Sequence, residues 1–464
     1  MIAELKPYID YKESGLPWLG QMPSHWNAVL NRSLVRKRKV LVGKRHNEYR
    51  LLSLTKQGVI VRDVSTGKGK FSSDMGTSQE VRSGDLVFCL FDVPETPRTV
   101  GLSQHNGMIT GAYTVFESLD RKNVEYFALF YRAMDDRKLL SPLYSGLRNT
   151  IPPERFLGTK SPLPPPAEQA AIVRFLDWAN GRLERAIRAK RKLIALLNEQ
   201  KQAIIHRAVT RGLDPKAPMK DSGVPWLGEI PAHWEVLRAK YLFREIDERS
   251  TQGREELLSV SHITGVTPRS QKNVTMFKAR SYVGHKVCRP GDLVINTMWA
   301  WMAALGVSRY TGLVSPAYAV YRPRHSDILV DSYVDMLMRT GPYISNYVTR
   351  STGVQASRLR LYPDKFFCLP IVVPPVAEQH AMAAAVQVRT RGVNAAIGQA
   401  EREIALFREY RTRLVVDVVI GQLDVREAAA RLPRDEFEPL GDGAALIDED
   451  GEDEESDGEA EDDA

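Results

Sequence analysis

Cysteine is scarce in this chain. The three that occur in 464 residues, Cys89, Cys288 and Cys368, stand far apart, which excludes a CxxC metal clip and argues against a disulfide framework. They are expected as buried thiols. Histidine is little richer: the nine residues form no HExxH and none accompanies paired cysteines, so a zinc site has no support. Apolar runs never reach the roughly 18 residues that a membrane span needs. The start, "MIAELKPYIDYKESG", lacks a basic flank followed by an apolar core, so it is not read as a secretory signal and the cytoplasm is the expected location. Nucleotide motifs are missing too: there is no GxxxxGK[ST] loop, and "STGKGKF" is too short and lacks a strand-to-helix setting. Neither a Gly-rich dinucleotide turn nor an acidic metal cluster for phosphodiester cleavage is found. No catalytic residue, cofactor or metal is therefore expected on the chain itself.

What is present is repetition. "SGLPWLGQMPSHW" at Ser14 returns as "SGVPWLGEIPAHW" at Ser222, identical at nine of thirteen positions after 208 residues. "SGDLVF" at Ser83 answers "PGDLVI" at Pro290, "PPPAEQ" at Pro164 answers "PPVAEQ" at Pro374, and "RGLD" at Arg211 answers "GQLD" at Gly421. Four landmarks in one order make each half a module of roughly two hundred residues with two parts. Four of the seven tryptophans, Trp18, Trp26, Trp226 and Trp234, lie in the opening stretch, which is read as a clasp onto its domain. His25 and His233 recur with it, but no nucleophile or carboxylate recurs at a set distance, so a structural role is expected for both.

The first part of each module has short β-rich runs broken by Gly and Pro, with helical patterns such as "VEYFALFYRAM" between them, and reads as a mixed α+β domain. The second part begins where proline stops. After Pro166 none follows until Pro215, and eight of ten positions in the series Ile172, Leu176, Ala179, Leu183, Ala186, Lys190, Leu193, Leu197, Gln200 and Ile204 are apolar. That spacing predicts a long helix with a narrow seam. A matching segment follows Pro375, and each would span roughly 60 Å over around forty residues. The fold class is read as α+β: two mixed α/β heads joined by two long antiparallel coiled-coil helices in a pseudo-twofold tandem repeat. A dimer through the same seams is the competing arrangement.

The net charge of +7 hides a division, because Asp448–Asp463 holds twelve acidic residues and no basic one, leaving 64 basic against 45 acidic residues, or +19, elsewhere. A body with that excess is a candidate polyanion binder. The informative stretches are those where the halves diverge between shared flanks. "YSGLRNTIPPERF" presents Arg148, Asn149 and Thr150, where "STGVQASRLRLYPDKF" presents Gln355, Ser357, Arg358 and Arg360. Arg, Asn and Gln pair bidentately with guanine or adenine edges, and Ser and Thr suit phosphate or base. "LLSLTKQGVIVR" and "LLSVSHITGVTPR" likewise share an apolar strand and differ at polar tips that carry Lys56, Arg62, His262 and Arg269. In "FCLFDVPETPRTVG" and "INTMWAWMAALGVS", Asn296 is a candidate base contact, Trp299 and Trp301 are expected in the core, and Arg98 joins Lys56, Arg62 and Arg269 as a phosphate contact. A solvated polar loop is the alternative for the stretches at Tyr144 and Ser351, and a place in the core the alternative for Asn296. If the heads bind double-stranded DNA, a pseudo-twofold scaffold reads two half-sites, and because the heads differ the halves differ.

The ordered, duplicated set of "PWLG…HW", "GDLV" and "AEQ" motifs resembles the specificity subunit of Type I restriction-modification systems, over nearly the whole chain to about Glu427. The resemblance implies two target recognition domains, at 1–165 and 213–373, joined by conserved helices at 166–212 and 374–427 that fix a gap within a bipartite DNA site. It implies assembly with two modification subunits, which bind S-adenosylmethionine and methylate adenine, and with restriction subunits that use ATP and Mg to translocate and cleave. The tail at 428–464 departs from it and is expected to be disordered; folding over a basic face to compete with DNA is the alternative. Two further readings stay open: an enzyme in which one half itself modifies nucleic acid, and a coiled-coil scaffold or decayed subunit without base-specific readout.

Overall fold

The computed structural model describes residues 5–16, 19–56, 58–62, 75–96, 98–146, 148–271, 281–353 and 359–433. Trp18, Gln355, Ser357, Arg358 and the acidic tail lie outside the described residues. Contacts gather these residues into two units, one built from the chain up to Lys190 together with the chain from Arg402, the other from Arg191–Glu401. The unit boundaries therefore differ from the five consecutive segments read from sequence, because each long helix is divided in its middle.

Both helices follow from local sequence. Pro166–Arg211 carries proline at its start, where a missing N–H costs nothing, and Glu168 in the first turn. It stops at Gly212, whose φ of +75° suits a left-handed helix end. Val376–Val419 has Glu378 in the same place and ends before Gly421, φ +81°. It is shorter than the 374–427 segment expected; the chain turns at Gly421 and forms a separate short helix, Arg426–Ala430. The seam also wanders: Ile187 is buried while Leu193 is 41% exposed, since a straight helix drifts off a strict heptad repeat.

In the first unit, an antiparallel four-stranded sheet runs in the order Val35–Arg38, Thr114–Ser118, Leu86–Phe88, Val100–Leu102. Phe88 and Phe116 pack edge-on against one another, and Tyr131 and Phe156 close the core around them. The same core takes Ile172, Phe175, Leu176 and Ala179 from the first helix and Leu414, Val415 and Val418 from the second. Glu184 pairs with Arg411, and Lys190 lies 2.5 Å from Glu403, so position rises on one helix as it falls on the other: within this unit the two segments pack antiparallel. The chain after the second helix returns to this head, with Asp424 bonded to Lys6 through a backbone N–H at 2.8 Å and Val425 and Ala429 buried in its core.

The second unit repeats the sheet with Phe243–Ile246, Ala319–Pro323, Leu293–Ile295 and Leu305–Val307 in the same order. Tyr321 stacks on Phe366 with centroids 4.1 Å apart. Val209 of the first helix and Met382 of the second share its core.

The geometry explains the recurring landmarks. Glu168 accepts hydrogen bonds from the Trp26 indole (2.9 Å) and the Tyr8 hydroxyl (2.6 Å), and its other oxygen lies 2.8 Å from His25 Nε2. Glu378 meets Trp234 (2.9 Å) and His233 (2.6 Å) in the same way. "HW" and "AEQ" are thus two sides of one clamp that fixes the start of each long helix to its head. A carboxylate partner for the histidines does recur, in contrast to the sequence reading, but it lies 143 and 145 residues away. The "GD" pair turns the chain into the central strand: Gly84 and Gly291 have φ of +92° and +86°, while Asp85 and Asp292 accept the backbone N–H of Arg82 (2.7 Å) and Arg289 (2.8 Å). Asp85 also binds Arg38, and Asp292 holds Arg322 through two bonds of 2.7 and 2.8 Å.

Candidate nucleic-acid interface

In each head the central strand delivers a loop to one end of the sheet, and a divergent turn docks beside that loop. In the first head, Ile151 N–H donates to Leu90 O (2.8 Å) and Asp92 N–H to Arg148 O (3.0 Å), while Ser145 and Thr150 exchange backbone bonds of 2.9 and 3.0 Å. In the second head Leu361 N–H donates to Thr297 O (2.9 Å), and Thr352 and Arg360 exchange bonds of 3.0 and 2.9 Å. The framework is common and the side chains offered at its tip are not.

Strain collects at this place. Among the described residues four other than glycine have positive φ: Asp92 (47°), Lys138 (50°), Asn149 (45°) and Ala303 (65°). Asp92 and Ala303 lie in the loops after the central strands and Asn149 in the divergent turn, while the Lys138 ammonium binds Val93 O (3.3 Å), Thr96 O (2.9 Å) and Asp135 (2.8 Å), pinning the first loop. Such conformations cost of order 1–3 kcal/mol and persist where surrounding structure enforces them, typically at functional sites.

The candidates sort as follows. Arg148 and Asn149 are exposed at the turn; Thr150 is half-buried at its base. Arg148 is held by Asp92, with Nε 3.2 Å from Oδ1 and a second nitrogen on Oδ2, and its guanidinium lies 5.9 Å over Phe91. That hydrogen bond holds the Asp92 carboxyl below its usual range. Arg360 is exposed, with one nitrogen 3.7 Å from Met298 Sδ. Lys56 is exposed and Arg62 half-buried on the hairpin of Leu52–Thr55 and Gly58–Val61; His262 and Arg269, both half-buried, lie on its counterpart, Leu258–Ser261 with Gly265–Pro268. Each hairpin packs on the edge strand of its own sheet: Val59 bridges to Ser103, and a Cβ on Gly306 would stand 3.2 Å from Gly265.

Two candidates are corrected. Arg98 is not offered to phosphate: its side chain is 11% exposed and its guanidinium binds Asp136 at 2.6 Å and Asp135 at 3.6 Å. Asn296 is 3% exposed, donates to the Tyr318 hydroxyl (3.1 Å) and accepts Met298 N–H (3.2 Å), so it shapes the loop rather than reading a base. Trp299 and Trp301, expected in the core, are half-buried on that loop, the Trp301 indole donating to Met298 O at 2.8 Å. Cys368 is exposed, unlike the buried Cys89 and Cys288. Sequence reasoning missed Asp92 and Lys138, since a search for cations passes over an acid and gives no weight to a lysine that serves the loop from below.

Among the described residues no group of three His, Cys, Asp or Glu is arranged to hold a metal, and no helix is long and apolar enough to cross a membrane.

The fold is shared with solved structures. The chain aligns over 87% of its length, and 99% of the other chain, with a structure described as the basis of complex assembly and conformational transition of the type I R-M system, at a TM-score of 0.55 and 16% identity. Weaker likenesses are to the HsdS subunit from Thermoanaerobacter tengcongensis (TM-score 0.39, 15% identity, 86% of this chain and 97% of that) and to the S subunit from M. genitalium (0.33, 12%, 85% and 96%). No family model and no curated protein matches the chain. The likeness at a TM-score of 0.55 and 16% identity is one of fold.

Proposed function

We propose that the chain is the non-catalytic specificity subunit of a Type I restriction-modification complex, reading a bipartite site in double-stranded DNA. The observation that carries this reading is the contrast between a framework repeated in both heads and loops that diverge at the end of each sheet, with residues of positive φ at Asp92 and Asn149 in the first head and Ala303 in the second. A framework that recurs with different tips suits two recognition elements of different specificity, and the +19 balance outside the acidic tail supplies the attraction to phosphate. On this reading the two long helices form an antiparallel spacer that fixes the gap between half-sites. The partners are two modification subunits carrying S-adenosylmethionine and restriction subunits carrying ATP and Mg. The complex works in the cytoplasm, and methylation and cleavage belong to those partners.

The test is methylation-aware sequencing of DNA from a restriction-free host that expresses this chain with its modification subunit. The expected result is a split motif, two short specified halves around a fixed gap, modified on both strands. A stable complex that leaves no motif overturns the reading in favour of a scaffold or a decayed subunit.

A further inference from the structure

The Asp92–Arg148 pair ties the loop after the first head's central strand to the divergent turn, with Arg148 side-chain exposure of 72% and Asp92 at 30%. Residue 92 grips residue 148 twice, once by the backbone bond of its N–H to Arg148 O and once by both carboxylate oxygens. Oxygens on a planar carboxylate present to a guanidinium the same two-acceptor edge that guanine presents with O6 and N7, or a phosphate with two of its oxygens. Both residues that shape this contact, Asp92 and its neighbour Asn149, are held in the left-handed region, a conformation that unpaired surface loops do not sustain without reason. In the second head Arg360 takes the place of Thr150 at the base of the turn, and the tip that would match Arg148 lies outside the described residues.

We propose that Asp92 is an internal decoy for DNA: it occupies the Arg148 fork in the free protein and must be displaced by a two-acceptor edge of the duplex before the first head engages. The inference rests on the DNA-reading function above. It makes Asp92 a specificity-determining residue, since a contact made by Arg148 counts only by how far it outcompetes the carboxylate, and weak, non-cognate contacts are suppressed most.

The experiment is a double-mutant cycle on the full chain, bound to a random-sequence duplex and to the duplex identified by the methylation motif. Asp92→Asn keeps the size and tolerates the left-handed backbone, because Asn populates that region more readily than other non-glycine residues. The expected result is roughly tenfold tighter binding of the random duplex and a smaller gain on the specific one, hence a lower specificity ratio. In an Arg148→Gln background the same change should have no effect. An equal gain with and without Arg148 assigns the effect to the loss of one negative charge and overturns the decoy, as does no gain at all. Lost discrimination of one base pair in Arg148→Gln identifies the edge as guanine; a uniform loss with a salt slope reduced by about one identifies it as phosphate. Failure of the wild-type chain to bind either duplex removes the DNA-reading function itself, an outcome distinct from binding without coupling.

Discussion

The first head closes its clamp and the second leaves it ajar. Glu168 has a side-chain exposure of 4% and meets three donors; Glu378, from the same motif, has 41% and meets two. The difference comes from Tyr8, on the segment before the first clasp, whose hydroxyl bonds Glu168 and whose ring packs beside Trp26 with centroids 5.9 Å apart. Arg426, from the chain beyond the second helix, covers that ring at 5.2 Å. The first clamp is therefore built from both ends of the chain, and the comparison teaches that one motif acquires different energetic weight from what the rest of the chain lays over it.

The largest expected effect breaks the comparison directly. Glu168→Ala strands the Trp26 and Tyr8 donors in a dry site and should cost about 3 kcal/mol, whereas Glu378→Ala, beside a half-exposed histidine, should cost about 1 kcal/mol. Hydrogen exchange would read this as lost protection of the pairing between Asn27–Leu30 and Lys160–Leu163 in the first case, and a smaller loss between Glu235–Arg238 and Pro370–Val373 in the second. Equal losses would remove the asymmetry.

A smaller effect sharpens it at the glycines that end the long helices. A Cβ on Gly421 would lie 2.4 Å from Pro23 Cδ and 3.0 Å from the Trp26 ring, while one on Gly212 would meet nothing nearer than Trp234 at 3.2 Å. Both carry positive φ. Gly421→Ala should thus destabilise by about 2 kcal/mol and Gly212→Ala by about 1 kcal/mol, measured by thermal unfolding. The order Gly212 worse than Gly421 would show that the first clasp yields more easily than its packing suggests.

The smallest concerns Asp177 on the first helix, whose carboxyl is pushed up to about 6 by burial and by the nearby Glu125. A raised carboxyl binds its proton more tightly in the folded chain, so stability falls as pH rises from about 4 to 6 and stays lower above that. The side chain still reaches water, and screening limits the effect to about 1 kcal/mol or less. Asp177→Asn should raise the melting temperature at pH 7 and leave it unchanged near pH 4; a gain at both would point to helix propensity instead of charge.

Much of the fold was legible from sequence because its signals are local. The proline edge, the first-turn Glu and the apolar spacing place both helices, and duplication divides the chain into two modules. The buried clamp was only half legible: the "HW" and "AEQ" motifs were visible, but their union at Glu168 and Glu378 was not, since it spans 143 to 145 residues. At the candidate interface the exposed turn at Arg148 and Asn149 was found, whereas Arg98 and Asn296 were misplaced outward. A side-chain type says that an arginine can meet a phosphate; it does not say that a carboxylate of the same chain, 38 residues on, already holds it.

By itself the sequence determined the duplication, its landmarks and where the long helices begin, because these follow from periodicity, capping and turn chemistry within a few residues. Tertiary structure alone decided which polar groups remain for a partner. Arg98 turns in to Asp136 and Arg148 stays out under Asp92, and the difference lies in partners supplied across 38 and 56 residues, where Coulomb pairing and burial depend on the folded chain and not on the neighbours in sequence.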